Sequence, residues 1–83
     1  MKQYDLETWL IDHSYRKDDF GHFHKTIDNK EYRFKIGKNS VRQEVKVRYG
    51  TSGYGSSSWV RLKSGYYKDL SITPEGKLKG LKY

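Results

Sequence analysis

A chain of 83 residues has room for one domain and a small core, and with no cysteine it offers neither a disulfide framework nor a thiolate metal site. Lysine and arginine total 17 against 10 acidic residues, a formal net charge of +7, while aromatic residues at 16% exceed what disordered chains carry. The expectation is a folded, basic, soluble domain over residues 1–83 in a reducing compartment such as the cytoplasm, because nothing approaches the roughly 20 apolar residues of a membrane span and Met1–Asp5 leads into no signal-peptide run. Alanine is absent and lysine outnumbers arginine 12 to 5, a bias that fits an AT-rich phage or plasmid gene.

The first predicted element is a helix. Asp5 suits its N-cap and Glu7 its positive end, and Leu6, Trp9, Leu10 and His13 fall at helical spacing, with an end near Ser14 to Lys17. A strand is the competing reading, because Tyr4, Leu6, Thr8 and Leu10 also alternate. Arg16 to Gly21 reads as a polar turn closed by glycine, completing an N-terminal helix-and-turn segment over 1–21.

From residue 22 onward the pattern is that of an antiparallel meander. His22 to Ile27 and Glu31 to Ile36 flank Asp28-Asn29-Lys30 and predict a β-hairpin. Gly37 to Ser40 reverses the chain into a strand from about Val41 to Tyr49. Residues 50–58 are almost wholly glycine and serine and predict a mobile loop. Trp59 to Lys63 resumes the sheet, Ser64-Gly65 turns it, Tyr66 to Ile72 continues it, and Thr73-Pro74-Glu75-Gly76 is a tight turn before Lys77 to Lys82. The fold class expected is therefore α+β and β-rich: a short N-terminal helix, then a curved antiparallel sheet or small partly open barrel of five to six strands.

Strand phase assigns the two faces. Tyr32, Phe34, Ile36, Val45, Val47, Tyr49, Val60, Leu62, Leu70, Ile72 and Leu78 share the inner side, joined by Phe23 and Ile27, with Leu6 and Leu10 packing onto one end. The opposite phase collects Arg33 and Lys35, Lys46 and Arg48, Arg61 and Lys63, and Lys77 and Lys79. Trp59 falls in phase with Arg61 and Lys63 and so belongs to the wet side, unless a bulge shifts the register. Like charges facing each other across a sheet cost roughly 0.2 to 1 kcal/mol per pair, so a face that carried only cations would give up stability. A polyanionic partner would explain such a loss.

The charge is also unevenly spread along the chain. Residues 1–29 hold four basic and six acidic residues, whereas residues 30–83 hold thirteen basic and four acidic. Such asymmetry marks a surface that meets an anion, although the acidic segment would neutralise part of the sheet if it lay beside it.

These features point to nucleic acid, DNA or RNA, with Arg33, Lys35, Lys46, Arg48, Arg61 and Lys63 on the backbone and Trp59 and Tyr54 stacking on bases. Tyr66 and Tyr67 are placed near the same strands. Phosphate contacts carry no sequence information, so little sequence preference is expected. An alternative of another class is a mobile-element regulator or inhibitor that docks on an acidic surface of a host protein. A second alternative is a metal-independent ribonuclease: His22 and His24 point the same way on a strand, His13 can approach them, and Arg16, Lys17 or Lys25 would steady the phosphate.

The Gly/Ser loop lacks the lysine and following helix of a nucleotide-binding loop. No enzymatic role, cofactor, metal or membrane partner is expected. The state is a monomer or a dimer paired through the unpaired edge of Lys77 to Lys82.

Overall fold

The computed structural model describes residues 1–49 and 56–83, with Tyr49 and Ser56 described by backbone alone. Tyr54 and most of the Gly/Ser loop thus lie outside the described residues.

Helix α1 (Gln3–Asp12) begins two residues before the expected Asp5 cap. Lys2 occupies the N-cap, and Asp5, in the first turn, accepts a hydrogen bond from the Lys2 backbone N–H at 3.2 Å. A carboxylate inside the first turn still answers the unpaired N–H groups there, so the same residue acts from a shifted position. Leu6 and Leu10, one turn apart, are fully buried.

Five strands follow in meander order: β1 (Arg16–Lys17), β2 (Phe23–Ile27), β3 (Lys30–Ile36), β4 (Ser40–Tyr49) and β5 (Ser56–Tyr66). They form one open antiparallel sheet, in which Arg16 and Lys17, expected in the turn, pair with His24 and Phe23, and Ser56 to Ser58, expected in the loop, begin β5. A 3-10 turn (Tyr67–Asp69) then leads into a separate hairpin of β6 (Ser71–Ile72) and β7 (Leu78–Lys79).

The β2–β3 turn is tighter than the sequence suggested. Ile27 pairs directly with Lys30, leaving Asp28 and Asn29 as a two-residue loop with φ of 50° and 66°. Two successive positive φ values define the type I′ turn, which aspartate and asparagine tolerate and whose twist matches the flanking strands.

The C-terminal third departs most from expectation. Ser64-Gly65 is not a turn, because β5 runs through it to Tyr66. The expected strand from Tyr66 to Ile72 breaks at the 3-10 turn, where Tyr67 is pulled into the core: its hydroxyl donates to the Gly37 carbonyl at 2.7 Å and its N–H to the Asn39 carbonyl at 3.1 Å. Nor is Lys77 to Lys82 a free edge strand. Leu78 pairs with Ile72, and Lys82 exchanges two 2.8 Å backbone hydrogen bonds with Ser64. The sheet edges are β1 and β5.

The buried core is Leu6, Leu10, Phe23, Phe34, Val41, Tyr67 and Leu70. Val41 and Tyr67 were not anticipated. Ile27, Val60 and Ile72, expected inside, are 41%, 39% and 42% exposed. Helix length explains Ile27 and Val60: ten residues span about 15 Å, whereas the ten residues of β4 span roughly 33 Å. One helix therefore covers only the end of the sheet that carries Phe23, Phe34 and Val41. No helix among the described residues is long and apolar enough to cross a membrane.

Candidate nucleic-acid interface

Direct cross-strand partners share a face, so the register decides which side chains meet. On the side away from α1, Arg16 pairs with His24, His24 with Arg33, Arg33 with Glu44, and Glu44 with Arg61. Lys35 pairs with Arg42, and Lys46 with Trp59. The expected convergence of Arg33, Lys35, Lys46, Arg48, Arg61 and Trp59 on one face is therefore present, with Arg16 and Arg42 added.

Lys63 does not join them. The β4–β5 register shifts between Gln43 and Glu44, so that Gln43 pairs with Lys63 and Glu44 with Arg61, leaving Leu62 as an extra residue. Such a bulge reverses the facing of everything beyond it, and Lys63 emerges on the α1 side beside Gln43. Lys77 and Lys79 belong to the separate hairpin and border a groove on that same side.

Nor is the outer face purely cationic. Glu31 and Glu44 lie in phase with the bases, a signal already legible in the alternation Arg42, Glu44, Lys46, Arg48 but passed over in reading the cations alone. Glu44 is only 4% exposed and accepts from Arg33 Nε at 2.9 Å and from Arg33 Nη2, while Arg42 Nη1 stands 3.8 Å from its other oxygen. Glu31 lies 3.6 Å from Lys46 Nζ and 3.5 Å from His24 Nδ1. Interleaved carboxylates thus relieve most of the like-charge repulsion, and Lys35 opposite Arg42 is the cation pair that remains directly opposed. Among the described residues, no carboxylate lies within 4.0 Å of Arg16, Lys35, Arg48 or Arg61.

Trp59 reaches over these side chains from the edge strand β5. The Arg33 guanidinium carbon lies 4.2 Å from its ring centroid and Lys46 Nζ 5.9 Å, while the His24 ring meets it edge-on at 5.5 Å. Arg33 is thereby held on both sides, by the Glu44 carboxylate and by the indole. A half-buried indole fixed by a clamped arginine is a preorganised platform.

A turn next to the face displays an aromatic that sequence reading missed. Asp18 Oδ1 accepts from the N–H groups of Phe20 and His22 at 2.8 and 2.9 Å, and its Oδ2 pairs with His24 Nε2. Burial raises the Asp18 carboxyl pKa, but these hydrogen bonds outweigh it and hold the group below the ordinary aspartate value. Phe20, at the tip, is 85% exposed. The local signal was an aspartate two residues before an apolar residue followed by glycine.

The histidines divide between the two sides. His22 and His24 belong to the outer face as expected, but His13 stacks on Trp9 at 4.0 Å and its Nδ1 meets the Trp9 carbonyl at 2.8 Å, which places it in the groove on the α1 side with Phe34 and Lys63. His22 Nδ1 accepts the Ile36 N–H at 3.0 Å, so the bond requires the neutral ring. Desolvation, helped by Arg33 and Lys35 and opposed by Asp18, lowers its pKa from 6.5. As pH falls below 6.5 the unfolded chain takes up this proton before the folded one, so stability should decline through that window, and His22→Asn should flatten the decline in chemical denaturation series.

The class defined is a small open-sheet protein with a predominantly basic, tryptophan-centred face. No protein-family model matches the chain, and comparison with curated proteins and with solved structures yields no match.

Proposed function

We propose that the protein binds nucleic acid through the outer face of its sheet, with Arg16, Lys35, Arg42, Arg48 and Arg61 meeting phosphates and Trp59 stacking on a base. The observation that carries this reading is a half-buried indole, held by Arg33 and Lys46, on a face that carries seven cations (Arg16, Arg33, Lys35, Arg42, Lys46, Arg48, Arg61) against three carboxylates (Asp18, Glu31, Glu44). Arg33 and Lys46, first grouped with the phosphate contacts, are engaged by Glu44 and Glu31. Their part is to position Trp59.

If about five phosphates are neutralised, log K falls against log salt with a slope near −4. Arg48→Gln and Arg61→Gln should each reduce that slope by about one and weaken all sequences alike. Trp59→Ala should cost roughly 1 to 3 kcal/mol of affinity while leaving the slope intact. A slope between 0 and −1 on single-stranded DNA, duplex DNA and RNA would exclude the reading.

Phe20 favours the second reading, a protein-binding module. An exposed phenylalanine on a turn locked by Asp18 has the form of an anchor residue, and the surrounding cations would steer it to an acidic surface. Phe20→Ser leaves nucleic-acid affinity unchanged under the first reading. Both imidazoles required by ribonuclease chemistry are engaged, His22 by Ile36 and His24 by Asp18, and this gives that reading the least support of the three.

A further inference from the structure

The bulge at Leu62 has a second effect, on the opposite side of the sheet. Without it, Lys63 would continue the alternation of Trp59 and Arg61. With it, Lys63 reaches a groove of about 540 Å³ between the sheet, the end of α1 and the C-terminal segment. The groove has an aromatic and aliphatic body, with Trp9, Tyr15, Phe34, Leu78 and Leu81 among its lining.

Its charge is of one sign. Lys63, Lys77 and Lys79 line it and no carboxylate does. Its aromatic wall is also fixed in place: Trp9 Nε1 donates to the Gly76 carbonyl at 2.8 Å, and the His13 ring stacks on the indole. Lys63 itself is half-buried, with Nζ 5.1 Å from the centroid of the Tyr83 ring. Bulges re-aim side chains at functional places, and here the re-aimed residue is a lysine delivered to an apolar groove. Apolar walls with a few convergent charged groups are the usual composition of a small-molecule site.

We propose that this groove binds a small amphipathic organic anion: an aromatic body seated against Trp9 and Leu78, its acidic group paired with Lys63. The site is independent of the outer face and of the nucleic-acid reading. Because Trp9 lines the groove and Trp59 lies on the opposite side of the sheet, Trp59→Phe leaves Trp9 as the sole tryptophan reporter of the site.

The test uses anilinonaphthalene sulfonate as probe, titrated into the full chain carrying Trp59→Phe and, separately, Trp9→Phe. Saturable quenching of Trp9 is expected in the Trp59→Phe protein, and the Trp9→Phe protein, which lacks part of the proposed wall, should bind the probe more weakly by its own fluorescence enhancement. Lys63→Gln, with its fold checked by circular dichroism, should weaken binding about tenfold, as expected for loss of a charge-assisted contact, and Lys63→Arg should restore it. A second measurement needs no variant at Lys63: neutral naphthalene and inorganic sulfate should each bind the Trp59→Phe protein at least about tenfold more weakly than the probe. No saturable binding, undiminished affinity in Trp9→Phe, equal affinity in Lys63→Gln, or equal affinity for naphthalene would each overturn the assignment.

Discussion

Replacing Glu44 by alanine is expected to lower stability by about 3 kcal/mol or more, because it leaves the Arg33 guanidinium unpaired at a site where its side chain is only 17% exposed. For a domain of this size, each kcal/mol corresponds to roughly 4 to 8 °C in Tm, so the transition should fall by more than about 12 °C. The loss belongs to the stranded charge and not to the missing attraction. The double variant Arg33→Met with Glu44→Leu should therefore recover most of it, since apolar replacements of both partners in a buried pair are often neutral or better. Thermal melts of the single and double variants check the claim. A loss below about 1 kcal/mol for Glu44→Ala would show that Arg33 finds solvent easily, and Trp59 would then lack its fixed support.

The second large effect is expected at Gly80. Its φ is +111°, and a Cβ built there would stand 2.2 Å from the Asp69 carbonyl oxygen and 3.0 Å from the Asp69 carbonyl carbon. Both are backbone atoms, so no side-chain rotation relieves the clash. Alanine must push the C-terminal segment away from the 3-10 turn at Asp69, and this displaces Lys82, two residues on, from its paired hydrogen bonds with Ser64. Two hydrogen bonds at about 1 kcal/mol each and backbone strain of order 1 to 3 kcal/mol give an expected loss of roughly 2 to 4 kcal/mol. Gly76 is the control. Its φ is +85° but nothing lies within 4 Å of a built Cβ, so Gly76→Ala should cost only about 1 to 2 kcal/mol. Denaturant titration of both proteins separates close approach from conformational preference, and equal losses would show that the Gly80 contact is not limiting.

The two variants probe opposite sides of one sheet. Glu44 organises the outer face through Arg33, whereas Gly80 seats the segment that closes the groove near Lys63. If the proposed sites are separate, Gly80→Ala, measured below its transition, should leave the nucleic-acid salt slope unchanged.

How far the sequence could be read varies along the chain. Residues 22–49 were legible because their strands join through short turns: Asp28-Asn29 favours positive φ, and Gly37 closes on the Ser40 carbonyl at 2.9 Å. Period-two alternation then places each side chain once the hairpin register is set. The stretch from Ser64 onward was misread because its structure depends on partners distant in sequence. Gly65 resembles a turn residue, yet it sits inside β5 where the chain packs closely: a Cβ would lie 3.1 Å from the Gly80 carbonyl oxygen. Tyr67 likewise suits a strand by propensity, but it leaves the strand to bond Gly37, thirty residues earlier.

The same division runs through the candidate interface. Alternation alone determined that Arg33, Lys46, Arg48, Trp59 and Arg61 would share the wet face, because one residue per pleat leaves no other arrangement while register holds. Tertiary structure decided where register fails, at the Leu62 bulge that turns Lys63 inward. It also decided which cations are already matched, since pairing depends on cross-strand neighbours: Glu44 meets Arg33 and Glu31 approaches Lys46 across strands whose alignment no local pattern specifies. Net charge and periodicity are properties of the chain as written, whereas bulges and ion pairs are settled by which strands lie side by side and what packs beneath them.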